Sequence, residues 1–193
     1  MGENLYSEAF AFEALNYNDR MIVAAPQLSD WGETSAEQAI ALTEYLLGRY
    51  NIDPDRVYAS GYSGGGETMS RVLGMRPDLF TAYLHCSSQW DGAYEPVAEA
   101  RVPVYLVIGE GDEYYGPEPS QDAYDRLHAL YQGAGLSEHE IDELLVLDIK
   151  DGDYFRRGGA PNQHGGGNLF ARDPAIMGWL FAQRGGAGGR AGT

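Results

Sequence analysis

The chain has 193 residues, which is enough for one domain with a buried core and short for two. Its 29 acidic and 13 basic residues leave a net charge of −16, and such a surface repels phosphate backbones and anionic lipid, so we expect neither nucleic acid nor membrane as a partner. The single cysteine, Cys86, excludes an intrachain disulfide, and the absence of both a signal-peptide pattern and an apolar run of about 18 residues predicts a cytoplasmic protein.

Along the chain, the apolar pattern alternates between helical and strand spacing. A helix is predicted over residues 3–19, then a short strand over 20–26, then a helix from about Ser35, where Ser35 and Gln38 form a capping-box pattern. The elements predicted after these are a strand at 56–60, a helix after the glycine turn 61–66, strands at 81–88 and 102–109, a helix at 118–135, a short helix opened by Ser137 and Glu140, a strand at 144–149 and a last helix at 167–183.

Five strands that alternate with helices predict an α/β fold, with a mostly parallel sheet covered by helices on both faces. No internal repeat or linker divides the sequence, so we expect one domain over residues 1–184. The remaining residues, 185–193, are rich in glycine and are predicted to be a flexible tail.

A serine lies between glycines directly after the strand predicted at 56–60. The stretch from Gly61 to Gly65 reads Gly-Tyr-Ser-Gly-Gly and matches the G-x-S-x-G pattern of a nucleophile elbow, a tight turn between a strand and a helix. A serine hydroxyl needs a base, a group that orients the base and donors for the oxyanion. The flanking strand and helix favour Ser63 as a nucleophile over a plain glycine turn.

The acid of such a site is expected at the carboxyl end of a later strand. Asp112 comes just after the strand predicted at 102–109 and is the preferred candidate. Glu110 and Glu113 are rivals in the same loop, and Asp91 is a weaker one at the end of the preceding strand. A solvated acidic loop is the alternative, because acidic residues usually lie at the surface.

The base is expected to be a histidine after the last strand. His164 lies in the loop between the last strand and the last helix, whereas the other three histidines fall inside predicted strands or helices. A lone loop histidine is more often a surface residue, but the chain order serine, acid, histidine, with each residue at a strand end, favours His164 as the base.

Three segments carry a family resemblance: residues 53–83, 104–116 and 162–170. With them the chain resembles the α/β-hydrolases, and within these the small bacterial esterases related to prolyl-oligopeptidase-like and polyhydroxybutyrate-depolymerase-like hydrolases. The resemblance extends from about residue 2 to residue 183. It implies Ser63 as nucleophile, Asp112 as orienting acid, His164 as base and the backbone N–H of Gly64 as one oxyanion donor.

The sequence departs from that family at its beginning. The five predicted strands resemble the family's strands four to eight, and the His-Gly segment that supplies the second oxyanion donor is not seen. The opening Met-Gly-Glu-Asn resembles the end of that segment, with Met1 at its third position, so Met1 is the expected second donor. To explain the missing strands, we expect that the chain is a fragment, the product of an internal start codon, or a protein that borrows strands from a partner. The loss of strands would leave an exposed sheet edge, which favours a homodimer.

Two tryptophans are candidates for the substrate pocket. Trp90 follows a strand end on the expected active-site edge, and Trp31 follows the strand predicted at 20–26. Packing in the core or at the surface is the alternative for each.

These observations predict a serine hydrolase that cleaves carboxylic esters of small or medium-sized molecules through an acyl-enzyme, with no metal or organic cofactor. A serine peptidase of the prolyl-oligopeptidase type is one alternative. The other is a truncated hydrolase with little or no catalytic activity.

Overall fold

The computed structural model describes residues 9–185 and contains a parallel sheet of four strands. The strands are paired in chain order, and they are β1 Tyr58–Tyr62, β2 Ala82–Cys86, β3 Val104–Gly109 and β4 Leu145–Lys150. The two central strands are buried along their whole length, whereas β1 and β4 are partly exposed. Among the described residues β1 and β4 are the sheet edges, and the homodimer expected through an edge stays a prediction.

Helices cover both faces of this sheet, as the sequence predicts. They are α1 Phe10–Ala14, α2 Glu33–Arg49, α3 Gly64–Met75, α4 Glu95–Glu99, α5 Glu118–Gly133, α6 Glu138–Leu144, α7 Gly152–Arg157, α8 Gly167–Arg172 and α9 Pro174–Ala182. Short 3₁₀ turns lie at Pro54–Arg56, Pro77–Leu79 and His164–Gly166. Among the described residues, no helix is long and apolar enough to cross a bilayer.

Alternate residues of the central strands enter two separate cores. Tyr83, Val104 and Leu106 pack on one face, with residues of α2 to α6. Leu84 and Val107 pack on the other, with residues of α1 and of α7 to α9. Side chains of consecutive strand residues point to opposite faces, so these two strands are apolar at nearly every position, with the buried His85 as the polar exception, and both faces need a cover of helices.

The strand predicted at 20–26 is wrong, and the sheet has four strands instead of five. Residues 21–28 are neither helix nor strand, and Ile22 is 50% exposed. A strand persists only where a neighbour completes its hydrogen-bond ladder, and within residues 9–185 this run pairs with no other strand. Pro26 also removes one donor from so short a run.

The two predicted capping boxes have different outcomes. Ser137 and Glu140 form the reciprocal pair at the start of α6, as predicted. Ser35 instead lies inside α2, and its Oγ donates to the carbonyl oxygen of Asp30 at 2.7 Å. The pattern at Ser35 is therefore used to bind the preceding loop rather than to cap the helix.

The first and last helices differ from the sequence predictions. The last helix is divided into α8 and α9 because Pro174 has no N–H to continue α8, and Asp173 caps α9 by accepting a hydrogen bond from the N–H of Ala175. The first helix is seen as Phe10–Ala14. Residues 3–8 of that predicted helix, Met1 and tail residues 186–193 lie outside the described residues.

Candidate active site

Ser63 lies in the tight turn between β1 and α3. Its backbone angles are φ 53° and ψ −130°, a conformation that costs a non-glycine residue about 1–3 kcal/mol and is held only where the surroundings enforce it. The N–H of Ser63 donates to the carbonyl oxygen of Cys86 at the end of β2. Its carbonyl oxygen accepts hydrogen bonds from the N–H of Gly66 and from Oγ of Ser88, at 2.7 and 2.6 Å.

Two glycines allow this turn to close. A Cβ on Gly61 would lie 2.6 Å from the carbonyl oxygen of Gly65, and a Cβ on Gly66 would lie 2.5 Å from the side chain of Ser88. A Cβ on Gly65 would meet nothing within 4 Å. The close packing around the turn therefore requires Gly61 and Gly66 but not Gly65, although Gly65 is part of the sequence pattern.

The structure brings Ser63, His164 and Asp112 into one chain of hydrogen bonds. Nε2 of His164 lies 3.1 Å from Oγ of Ser63. Nδ1 of the same ring lies 3.1 and 3.0 Å from the two carboxylate oxygens of Asp112. The Asp112 side chain is completely buried and that of His164 is 10% exposed, so both contacts are shielded from water.

Of the four carboxylates considered from sequence, Asp112 is the one that meets the imidazole. Its Oδ1 also accepts the N–H groups of Tyr114 and Tyr115, each at 3.0 Å, which fixes the carboxylate in the loop after β3. Glu110 accepts a hydrogen bond from the N–H of Gly152 instead. Asp91 forms an ion pair with Arg71 on α3.

Glu113, the remaining candidate, holds the backbone of the histidine loop. Its two carboxylate oxygens accept the N–H groups of Gln163 and His164, at 3.1 and 2.9 Å. The hydrogen bond from His164, followed by that from Gln163, lowers the pKa of Glu113 although burial acts in the opposite direction. Glu113 therefore positions the imidazole by way of the main chain.

Two further side chains fix the histidine loop, one from β1 and one from the loop itself, and sequence reasoning missed both. The hydroxyl of Tyr62 donates to the carbonyl oxygen of His164, and the two rings stack with centroids 5.4 Å apart. Oε1 of Gln163 accepts the N–H of Gly111 at 2.8 Å. Tyr62 occupies the variable position of the serine pattern, so no motif marks it.

Tyr115 lies beside the serine and was also missed. Its hydroxyl donates to Glu67 on the first turn of α3 at 2.7 Å, and its ring centroid is 5.7 Å from that of His164. Burial and the hydrogen bond to Glu67 raise the pKa of Tyr115 to about 12, and the Ser63 hydroxyl acts in the opposite direction. The phenol therefore stays neutral at physiological pH.

The two candidate pocket tryptophans occupy different environments. Trp90 is 8% exposed, packs in the core against Tyr83 and donates its indole N–H to the carbonyl oxygen of Gly92. It is a core residue here, and its position gives no support to a role in the substrate pocket. Trp31 is 69% exposed and lies against Gly64.

Of the two expected oxyanion donors, Gly64 lies within the described residues. Gly64 opens α3 beside Ser63, and the first N–H groups of a helix have no partner within the helix. Met1, the expected second donor, lies outside the described residues. Within residues 9–185, no group of three or more His, Cys, Asp or Glu side chains is placed to hold a metal ion.

Hydrolases are among the known proteins that this chain is similar to. A model of the prolyl oligopeptidase family matches residues 28–92. A protein from Nocardia uniformis subsp. tsuyamanensis named "Putative esterase NocK" is 32% identical over 184 aligned residues, which cover 76% of this chain and 53% of that protein. The chain thus spans about half the length of this curated relative.

Solved structures share the fold. A thermostable esterase superposes with a TM-score of 0.65 at 22% identity, over 79% of this chain and 37% of its own. Pyrococcus horikoshii acylaminoacyl peptidase superposes with a TM-score of 0.50 at 14% identity, over 83% of this chain and 29% of its own. The parallel sheet, the serine turn between β1 and α3 and these likenesses show that the chain has the α/β-hydrolase fold.

Proposed function

We propose that the chain is a serine hydrolase that cleaves carboxylic esters of small or medium-sized molecules. The observation that carries this proposal is the hydrogen-bond chain from Ser63 through His164 to Asp112. Serine, histidine and aspartate in this arrangement form a catalytic triad, which activates a hydroxyl that is otherwise a poor nucleophile. The names of the esterase relatives favour esters as the substrate class.

The proposed reaction has two steps. His164 takes the proton of Ser63 while Oγ attacks the ester carbonyl, and the negative charge collects on the carbonyl oxygen near the N–H of Gly64. His164 then gives the proton to the leaving alcohol, and the acyl group stays on Ser63. Water activated by His164 releases the acid, and Asp112 keeps the imidazole in the tautomer that both steps need.

Labelling with a fluorophosphonate probe tests the nucleophile. We expect the probe to modify Ser63, and Ser63→Ala to abolish both labelling and hydrolysis of p-nitrophenyl acetate. Ser60→Ala, three residues earlier on β1, is the matched control and should keep both. Labelling that persists in Ser63→Ala at the wild-type rate would remove Ser63 from the mechanism.

A serine peptidase of the prolyl-oligopeptidase type is the second candidate. The match of residues 28–92 to that family's model favours it. A p-nitrophenyl ester and a p-nitroanilide with the same acyl group separate the two, because the amide needs protonation of a poorer leaving group. A higher kcat/KM for peptide anilides than for the matched esters would replace the esterase proposal.

A further inference from the structure

Trp31 is exposed, yet the turn that carries it is held firmly. The N–H of Asp30 donates to Oγ of Ser35 at 2.8 Å, and Oδ1 of Asp30 accepts the N–H groups of Gly32 and Ser35 at 2.9 and 3.2 Å. These contacts lower the pKa of Asp30, the hydrogen bond with Ser35 most of all. The residues on both sides of Trp31 are therefore fixed to the start of α2, although its ring is 69% exposed.

The indole of Trp31 lies directly against Gly64. A Cβ on Gly64 would be 2.6 Å from both Cδ1 and Nε1 of the indole and 2.9 Å from Cε2. The Cα–Cβ direction in a helix tilts toward its N-terminus. The edge of the indole that carries the N–H thus lies at the N-terminal end of α3, next to Gly64, whose backbone N–H is the first oxyanion donor of the proposed reaction.

Two further facts suit this indole to an anion. Its N–H makes no hydrogen bond with any residue from 9 to 185, in a side chain that is largely exposed. The 12-residue helix α3 also presents the positive end of its dipole here. A donor that is held in place, has no partner and lies beside Gly64 has the properties of one half of an oxyanion hole.

We propose that the indole N–H of Trp31 donates a hydrogen bond to the substrate oxygen that becomes negative when Ser63 attacks, as a second donor beside the N–H of Gly64. This rests on the proposed serine hydrolase function. The bond from Oγ to the carbonyl carbon forms, the carbonyl π pair moves to oxygen, and the serine proton goes to His164. Trp31 keeps its proton throughout, and its hydrogen bond strengthens as the charge develops.

Trp31→Phe is the direct test, because it keeps an aromatic side chain at this position and removes the N–H donor together with the ring edge that carries it. Loss of one oxyanion donor typically costs about 100- to 1,000-fold in kcat, and we expect at least about tenfold for p-nitrophenyl acetate with KM nearly unchanged. Trp179→Phe is the control, since Trp179 lies on α9 and packs against Tyr105 of β3. It should keep the wild-type kcat, and Trp31→Phe, at an exposed position, should unfold at the wild-type temperature.

A second variant displaces the indole without removing its donor. Gly64→Ala keeps the backbone N–H at position 64, but its Cβ would push the indole away. We expect kcat to fall and the double variant with Trp31→Phe to be little slower than either single variant, because both remove the same interaction. Fully multiplicative losses would contradict the proposal.

A spectroscopic readout separates this inference from the proposed function. Diethyl p-nitrophenyl phosphate should phosphorylate Ser63 and leave a phosphoryl oxygen where the oxyanion forms. The chain has three tryptophans, and the ¹H–¹⁵N signal of the Trp31 indole is the one missing in Trp31→Phe. We expect that signal to move downfield and to exchange more slowly with water in the adduct.

The outcomes are distinct. An adduct on Ser63 with an unchanged Trp31 signal, together with full kcat in Trp31→Phe, would overturn the role of Trp31 and leave the serine hydrolase intact. No adduct and no turnover that depends on Ser63 would overturn the proposed function, and the role of Trp31 with it.

Discussion

The serine turn and the histidine loop meet at one site but are held by different forces. The serine turn is fixed by backbone crowding, as at Gly61, and by main-chain hydrogen bonds to β2. The histidine loop is fixed by side chains, with Glu113 and Gln163 joining it to the loop after β3. Added volume should therefore damage the first region, and loss of a polar group should damage the second.

The largest expected effect is on the acid of the histidine side. Asp112→Asn keeps an acceptor for the N–H groups of Tyr114 and Tyr115 but presents an amide to Nδ1, which favours the wrong imidazole tautomer. We expect kcat to fall by about 10³- to 10⁴-fold with little change in stability. Glu110→Gln is the control, because Glu110 accepts a hydrogen bond from Gly152 and does not contact the imidazole, and its kcat should stay within about twofold of the wild-type value. A similar loss of kcat in both variants would argue against Asp112 as the acid.

The next effect concerns the serine turn and its stability. Gly61→Ala places a Cβ 2.6 Å from a backbone oxygen that cannot move away easily, and we expect it to destabilise the protein by about 3 kcal/mol. The Cβ that Gly65→Ala adds would lie in open space. This variant should therefore be as stable as wild type or more stable by up to about 1 kcal/mol, since alanine favours a helix over glycine. Urea unfolding compares the two, and equal stabilities would mean that the turn relaxes around the extra carbon.

His85 lies on β2 beside Gly61 of β1, and it gives the serine turn a pH dependence. Its ring is completely buried, Nδ1 bonds the hydroxyl of Tyr83, and burial lowers its pKa to about 4. The unfolded chain takes up this proton near pH 6.5 and the folded chain does not. Stability is therefore lost as the pH falls from about 6.5 toward 4, by about 2 kcal/mol between pH 7 and pH 5.

Comparison with His85→Asn isolates this contribution. Asparagine keeps a polar partner for Tyr83 and does not titrate, so the loss of stability between pH 7 and pH 5 should be smaller in this variant by about 2 kcal/mol. His139→Asn, at an 86% exposed position, is the control, and its loss of stability between pH 7 and pH 5 should equal that of wild type. Calorimetric unfolding at the two pH values measures the difference, and equal losses in all three proteins would contradict the role of His85.

How much the sequence predicts differs between the two regions for a physical reason. Parallel strands bring their carboxyl ends to one edge, so strand ends and chain order lead to Ser63, to His164 and to the acidic loop after β3. The structure has Asp112 of that loop in contact with His164, and His164 in contact with Ser63. Glu113 and Gln163 act on backbone groups 50 to 52 residues away, and no local pattern records such contacts. Sequence could mark Glu113 only as a possible acid.

The failed predictions have the same origin. An apolar run such as residues 20–26 becomes a strand only beside a partner, which local composition does not reveal. Ser35 has the same capping pattern as Ser137, but Asp30 is close enough to bind it. Trp90 and Trp31 both follow expected strand ends, and only packing decides that one is buried and the other exposed.

The smallest expected effect is at Glu113, where the histidine loop meets the loop after β3. Glu113→Gln leaves one amide oxygen to accept from two N–H groups, those of Gln163 and His164. We expect the loss of one hydrogen bond to destabilise the protein by about 1 kcal/mol, and the less firmly positioned imidazole to lower kcat by up to about fivefold. Glu99→Gln, at an exposed position of α4, is the control and should not change kcat.

The contribution of Glu113 to the stability of the folded protein depends on pH. Because the folded pKa of Glu113 is lowered, its stabilising contribution is complete above its unfolded pKa, near 4.3, and is lost as the pH falls through the folded value. The stability difference between wild type and Glu113→Gln should thus be present at pH 7 and shrink below about pH 4. A difference that stays constant down to pH 3 would show that the carboxylate charge does not hold the histidine loop.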